Sequence, residues 1–108
     1  GKTFQLDLPV VMTGELGGYV YLEQGRENRG LSGIAVQLLD DNEEIIRTTA
    51  TAYDGYFYIP QLKPGSYLLR ISPESIERRE LQKPEVKEVE IPAEGGYISG
   101  LEWILERD

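Results

Sequence analysis

The segment Thr48–Ile71, TTATAYDGYFYIPQLKPGSYLLRI, constrains this chain more than any other. Its apolar residues recur at every second position, the period of a strand with one buried face. Two turn signals punctuate it. Asp54-Gly55 between alternating runs is the strongest short-range hairpin signal, because a type I′ turn needs positive φ at both central residues. Pro64 presets φ for a second turn, and Gly65 accepts the positive φ that follows. Such a segment folds into short strands joined by tight turns, and it holds almost nothing that does chemistry.

The same rhythm continues on both sides, which predicts a small β-sandwich. Strands are expected near Thr3–Leu8, Gly18–Leu22, Ile34–Leu39, Ile45–Thr51, Tyr56–Ile59, Tyr67–Ile71, Val86–Ile91 and Tyr97–Glu106. Alternation sets the inward face: Val20 and Leu22, Phe57 and Ile59, then Tyr67, Leu69 and Ile71, with Ile34, Val36 and Leu38 on the opposite sheet. The last strand offers two sets. Leu101, Trp103 and Leu105, the larger, is preferred over Ile98, Gly100 and Ile104. Ser72-Pro73-Glu74 breaks the pattern with a capping residue, a proline at the first helical position and an acid in the first turn. A short helix near Pro73–Leu81 is expected there, crossing the sandwich and ending before Lys83-Pro84.

A chain of 108 residues is one domain, large enough to bury roughly 65% of its unfolded surface. Residues 17–108 form the sandwich, and residues 1–16 read as a lead-in strand or linker from a preceding domain, since Pro9 suits only a sheet edge. Gly1 followed at once by strand-like sequence reads as the start of a piece of a longer protein. A net charge of −8 argues against a nucleic-acid partner and against an anionic membrane surface. Cysteine and histidine are absent, which removes Cys/His zinc sites, thiol nucleophiles and Ser-His-Asp triads. No cofactor is expected.

The residues Gly18-Tyr19-Val20, Leu31-Ser32-Gly33-Ile34-Ala35-Val36-Gln37-Leu38, Arg47–Thr51, Asp54-Gly55-Tyr56-Phe57, Leu62–Tyr67 and Leu69 resemble the carboxypeptidase regulatory-like domain. That domain is related to the collagen-adhesin B-type repeats and to prealbumin-like sandwiches. The resemblance implies an all-β fold of seven or eight antiparallel strands with one short helix. It also implies an accessory module in a bacterial envelope or exported protein, periplasmic or extracellular, whose partners are neighbouring domains or other envelope proteins. Some family members carry a Lys–Asn isopeptide bond assisted by an acid. Here the first family strand, Gly18–Glu23, has no Lys, the last, Leu101–Glu106, has no Asn or Asp, and Arg70 stands near the acid's position. The bond is rejected.

Three further constellations stand out. Asp40-Asp41-Asn42-Glu43-Glu44 concentrates oxygen ligands, but its spacing fits no EF-hand loop, so a solvated turn is preferred over a weak calcium site. The pairs Glu77/Glu80 and Glu85/Glu88 read as solvated charge, and no catalytic residue is expected. Tyr19, Tyr21, Tyr56 and Tyr58 alternate with core residues and should face outward on two strands. They are the candidate ligand or partner surface. Two readings follow: a non-catalytic structural or protein-interaction module, or a carbohydrate-binding module of starch-binding-like fold that stacks these tyrosines on a glycan.

Overall fold

A computed structural model describes residues 12–108. Its elements run β1 (Gly14–Gln24), β2 (Glu27–Gly30), β3 (Ala35–Leu39), β4 (Ile45–Ala50), β5 (Tyr56–Leu62), β6 (Gly65–Ile71), α1 (Pro73–Arg78), β7 (Lys87–Ile91) and β8 (Gly96–Leu105). The expected strand Thr3–Leu8 lies outside the described residues. β1 starts at Gly14, ahead of the expected boundary at residue 17.

Two four-stranded sheets pack face to face. In one, β1 is central: β8 lies along one edge, and β5 and then β2 share the other. The second runs β4-β3-β6-β7. Between them lie Leu16, Val20, Leu22, Ile34, Val36, Leu38, Phe57, Leu69, Ile91 and Trp103, among others, all buried. Alternation therefore assigned the core face correctly, including Trp103 and Leu105 in the last strand. Tyr67 is an exception. It is only half-buried, because its phenol reaches out to donate to the Lys63 carbonyl.

The sheet is not wholly antiparallel. β1 and β8 run parallel, in register from Gly14↔Gly96 to Leu22↔Leu105, interrupted where Ser99 and Gly100 oppose Gly17. Gly100 takes φ +82°, and the extra residue lets both Ile98 and Leu101 pack against the core, which strict alternation forbids. Ile104 points to solvent.

The Asp54-Gly55 turn does not close a hairpin. β4 and β5 lie in different sheets, so the turn is the corner where the chain changes layer. Ala52 and Tyr56 still close a three-residue loop, through Ala52 N–H to the Tyr56 carbonyl (2.8 Å) and Gly55 N–H to the Ala52 carbonyl (2.9 Å). Only Gly55, and not Asp54, has positive φ, as in a type I turn followed by a left-handed residue. Thr51 locks the corner. Its buried hydroxyl accepts from Ile34 N–H at 3.0 Å and donates to the Leu31 carbonyl.

Pro64-Gly65 likewise joins strands of opposite sheets, with Gly65 at positive φ. The helix is shorter than expected, and Ser72 makes no side-chain cap. It does not cross the sandwich, because it joins the adjacent strands β6 and β7. The segment after it makes the crossing: Leu81 pairs with Arg107, Gln82 N–H donates to the Glu106 carbonyl, and Trp103 Nε1 donates to the Glu85 carbonyl at 2.9 Å. This plugs one end of the core. β4 is exposed on both faces, and on its inner side Arg47 donates to the Ile46 and Gln61 carbonyls.

Candidate functional site

The outward face of the β1 sheet gathers the tyrosines. Because β1 and β5 pair with Tyr19 opposite Tyr56 and Gly17 opposite Tyr58, all four expected tyrosines stand on one surface. A fifth, Tyr97, joins them from β8, where it sits opposite Glu15. The sequence reading missed Tyr97 because its neighbour is set by a parallel pairing between the chain's first and last described strands. The i, i+2 spacing of its own strand carries no sign of it.

Gly17 is the floor of this surface. A Cβ there would overlap Tyr97 Oη and stand 2.9 Å from Tyr56 Oη, so the missing side chain is what lets the two phenols converge. Their hydroxyls hydrogen-bond at 3.1 Å. Tyr58 donates to the Glu15 carboxylate. Tyr19 and Tyr21 stack with planes 5° apart and centroids 5.6 Å apart, and Tyr19 meets Tyr56 at 5.3 Å with a 56° tilt. The rings cover one another in part yet stay open to water, with Tyr19 37%, Tyr58 41% and Tyr97 49% exposed.

Three of these phenols are held in their protonated form. The hydrogen bond to Tyr97, then burial, pushes Tyr56 up to about 12. The Glu15 hydrogen bond raises Tyr58, and burial with the nearby Glu102 charge raises Tyr21. At the far end of the face Glu23 is raised by a hydrogen bond to Glu106 and by that carboxylate's charge. The surface is thus aromatic, hydrogen-bonding and rimmed by carboxylates.

The other constellations resolve simply. Asp40 caps its own turn, its Oδ1 accepting from Asn42 and Glu44 N–H at 2.9 Å each. Among the described residues no cluster of three acids is placed to hold a metal ion. Glu85 pairs with Lys87 at 3.0 Å, and Lys87 also lies 5.3 Å over the Trp103 ring. Where an isopeptide bond would lie, β1 and β8 present Leu16, Val20, Leu101 and Trp103 to the core. Leu69 faces inward beside Arg70, which bonds Gln37.

A two-sheet sandwich of this topology is the collagen-adhesin B-type, prealbumin-like class expected from the sequence. The chain belongs to the family described as BOS complex subunit NOMO1-like, second beta sandwich domain, whose profile matches residues 15–95. It is 37% identical over 60 residues to a fibrinogen-binding protein of Staphylococcus epidermidis, an alignment covering 50% of this chain and 6% of that protein. Against serine-aspartate repeat-containing protein D of Staphylococcus aureus it is 31% identical over 61 residues, covering 51% of this chain and 5% of the relative. The chain therefore spans a small fraction of these curated relatives.

Its fold is similar to that of GBS52, the minor pilin of Streptococcus agalactiae, at TM-score 0.69 and 16% identity over 90% of this chain and 45% of that one. It is also similar to the Bacillus anthracis TIE protein, at TM-score 0.71 and 16% identity over 89% and 17%. This kinship gives the chain a bacterial envelope or extracellular setting. Among the described residues no helix is long and apolar enough to cross a membrane.

Proposed function

We propose that this chain is a non-catalytic, load-bearing spacer and interaction module within a larger bacterial surface protein, with neighbouring domains as its partners. The parallel β1–β8 pair carries the reading. The chain enters β1 at Gly14 and leaves β8 at Leu105, at opposite ends of one parallel ladder with a single bulge. Tension along the chain slides these strands past each other and loads all their hydrogen bonds together, where an antiparallel pair pulled at one end opens bond by bond. The interior fits the same role: its only buried polar side chains are Thr51 and Ser72 among the described residues, and no buried side-chain polar atom lacks a partner. Such a core stores no reactive group.

The glycan reading has less support. Sugar rings stack on flat aromatic faces, whereas Tyr19 and Tyr21 turn their faces toward each other.

Single-molecule pulling tests the mechanical role. Tandem copies stretched through their termini should unfold at clearly higher force than a variant held through Arg26→Cys and a cysteine added after Asp108. That second geometry grips both strands at the same end and peels them apart. Equal forces would end the load-bearing reading.

A further inference from the structure

β1, β5 and β8, which make most of the tyrosine face, contain no lysine or arginine. Their outward charges are all carboxylates: Glu15 beside Tyr58, Glu102 opposite Tyr19, and Glu23 against Glu106. A face that is aromatic in the middle, with only carboxylates as the charges projecting outward from these three strands, is complementary to one ligand chemistry. Guanidinium and ammonium groups stack on tyrosine rings through the ring quadrupole, and arginine forks onto carboxylates at the same time.

The geometry on this face supports such an occupant. Glu23 lies on the same face two residues beyond Tyr21 on β1, with Glu106 beside it. The exposed rings of Tyr58 and Tyr97 adjoin Glu15, and Tyr19 adjoins Glu102, so ring surface and carboxylate lie side by side at both places.

We propose that the tyrosine face of the β1 sheet is a docking surface for an arginine-bearing segment of a neighbouring domain of the same surface protein. This rests on reading the chain as an interaction module, but it does not depend on the mechanical role, which the pulling experiment reads separately.

The test uses the whole chain and a defined probe, the peptide acetyl-Gly-Arg-Gly-Arg-Gly-amide, with its citrulline counterpart as the neutral isostere. Tyrosine ring and backbone NMR shifts are followed at low salt and again near 0.5 M salt, where the Debye length is well under about 8 Å. The expected result is saturable movement confined to Tyr19, Tyr21, Tyr56 and Tyr97, lost at high salt and at least about tenfold weaker for the citrulline peptide. The exposed substitutions Glu102→Gln and Glu23→Gln, checked for unchanged melting, should each weaken binding by about two- to fivefold, the range of an exposed ion pair. Several results would overturn the proposal: no saturable shift, equal binding by the citrulline peptide, or movement centred on Asp40 and Asp41. A maltohexaose titration that moves the tyrosines while the arginine peptide does not would reassign the face to glycans.

Discussion

Gly17 and Gly18 are chain neighbours on opposite faces of β1, and alanine should be costly at Gly18 but nearly neutral at Gly17. At Gly18 the new Cβ would overlap the Leu101 carbonyl oxygen of the β8 ladder and stand 2.6 Å from Phe57 Cζ. Neither obstacle can retreat. Phe57 is 1% exposed and packs on Trp103 at 5.8 Å, and the carbonyl belongs to the parallel pair itself. Overpacking of this kind costs about 1–3 kcal/mol, and a backbone obstacle places it at the upper end. Replacing glycine in a strand returns about 0.5–1 kcal/mol of backbone entropy. The net loss is about 2 kcal/mol, a fall in Tm of about 8–16 °C for a domain of this size.

At Gly17 the obstacles are the hydroxyl ends of Tyr97 and Tyr56, which can swing into solvent. The lost phenol–phenol bond, worth about 0.5–1 kcal/mol, nearly offsets the same entropic gain, so Tm should move by only a few degrees. Urea unfolding followed by Trp103 fluorescence, with thermal melts by circular dichroism, measures both. Gly18→Ala within about 0.5 kcal/mol of the parent, or Gly17→Ala the more damaging of the two, would refute the placement of these strands.

Phe57→Ala should cost about 3–5 kcal/mol in the same urea assay, as removal of a core plug does. Thr51→Val keeps the shape but strands the Ile34 N–H and the Leu31 carbonyl, at about 1–3 kcal/mol. The pH dependence should fall on the alkaline side. Tyr56 keeps its proton to about 12 in the folded chain against 10.0 ordinarily, so its contribution is whole below pH 10 and is lost as pH rises through 12. Tyrosinate absorbance should show several phenols titrating late, Tyr56 among the last, and Tyr56→Phe should remove the step near 12 and soften the alkaline loss of stability.

What the sequence revealed and what it hid follow a physical line. Period-2 alternation depends on one strand and its two faces, so the inward set from Val20 to Trp103 was legible. Which sheet a strand joins is not a local property. The Ala52–Tyr56 loop satisfies its own hydrogen bonds whether or not the flanking strands stay together, so Asp54-Gly55 read as a hairpin although it is a corner. β2, Glu27–Gly30, has no apolar face to announce it and exists through its pairing with Tyr21–Gln24. The helix was visible from Pro73, but the segment that crosses to the other sheet is held by backbone bonds to Glu106 and Arg107, which no local pattern encodes. Four of the five tyrosines were found by alternation, and the fifth required knowing that β8 lies beside β1.

The β1–β8 pairing also sets when this domain can exist. Its central strand is made first among the described elements, and its parallel neighbour is made last. A chain emerging from a ribosome or threading through an export pore therefore carries Leu16, Val20 and Leu22 without the wall that will cover them until Trp103 and Leu105 arrive. Contacts this distant in sequence form slowly and late. The ladder that closes the finished module is thus among the last contacts that can form, and the domain completes only once its final strand is free.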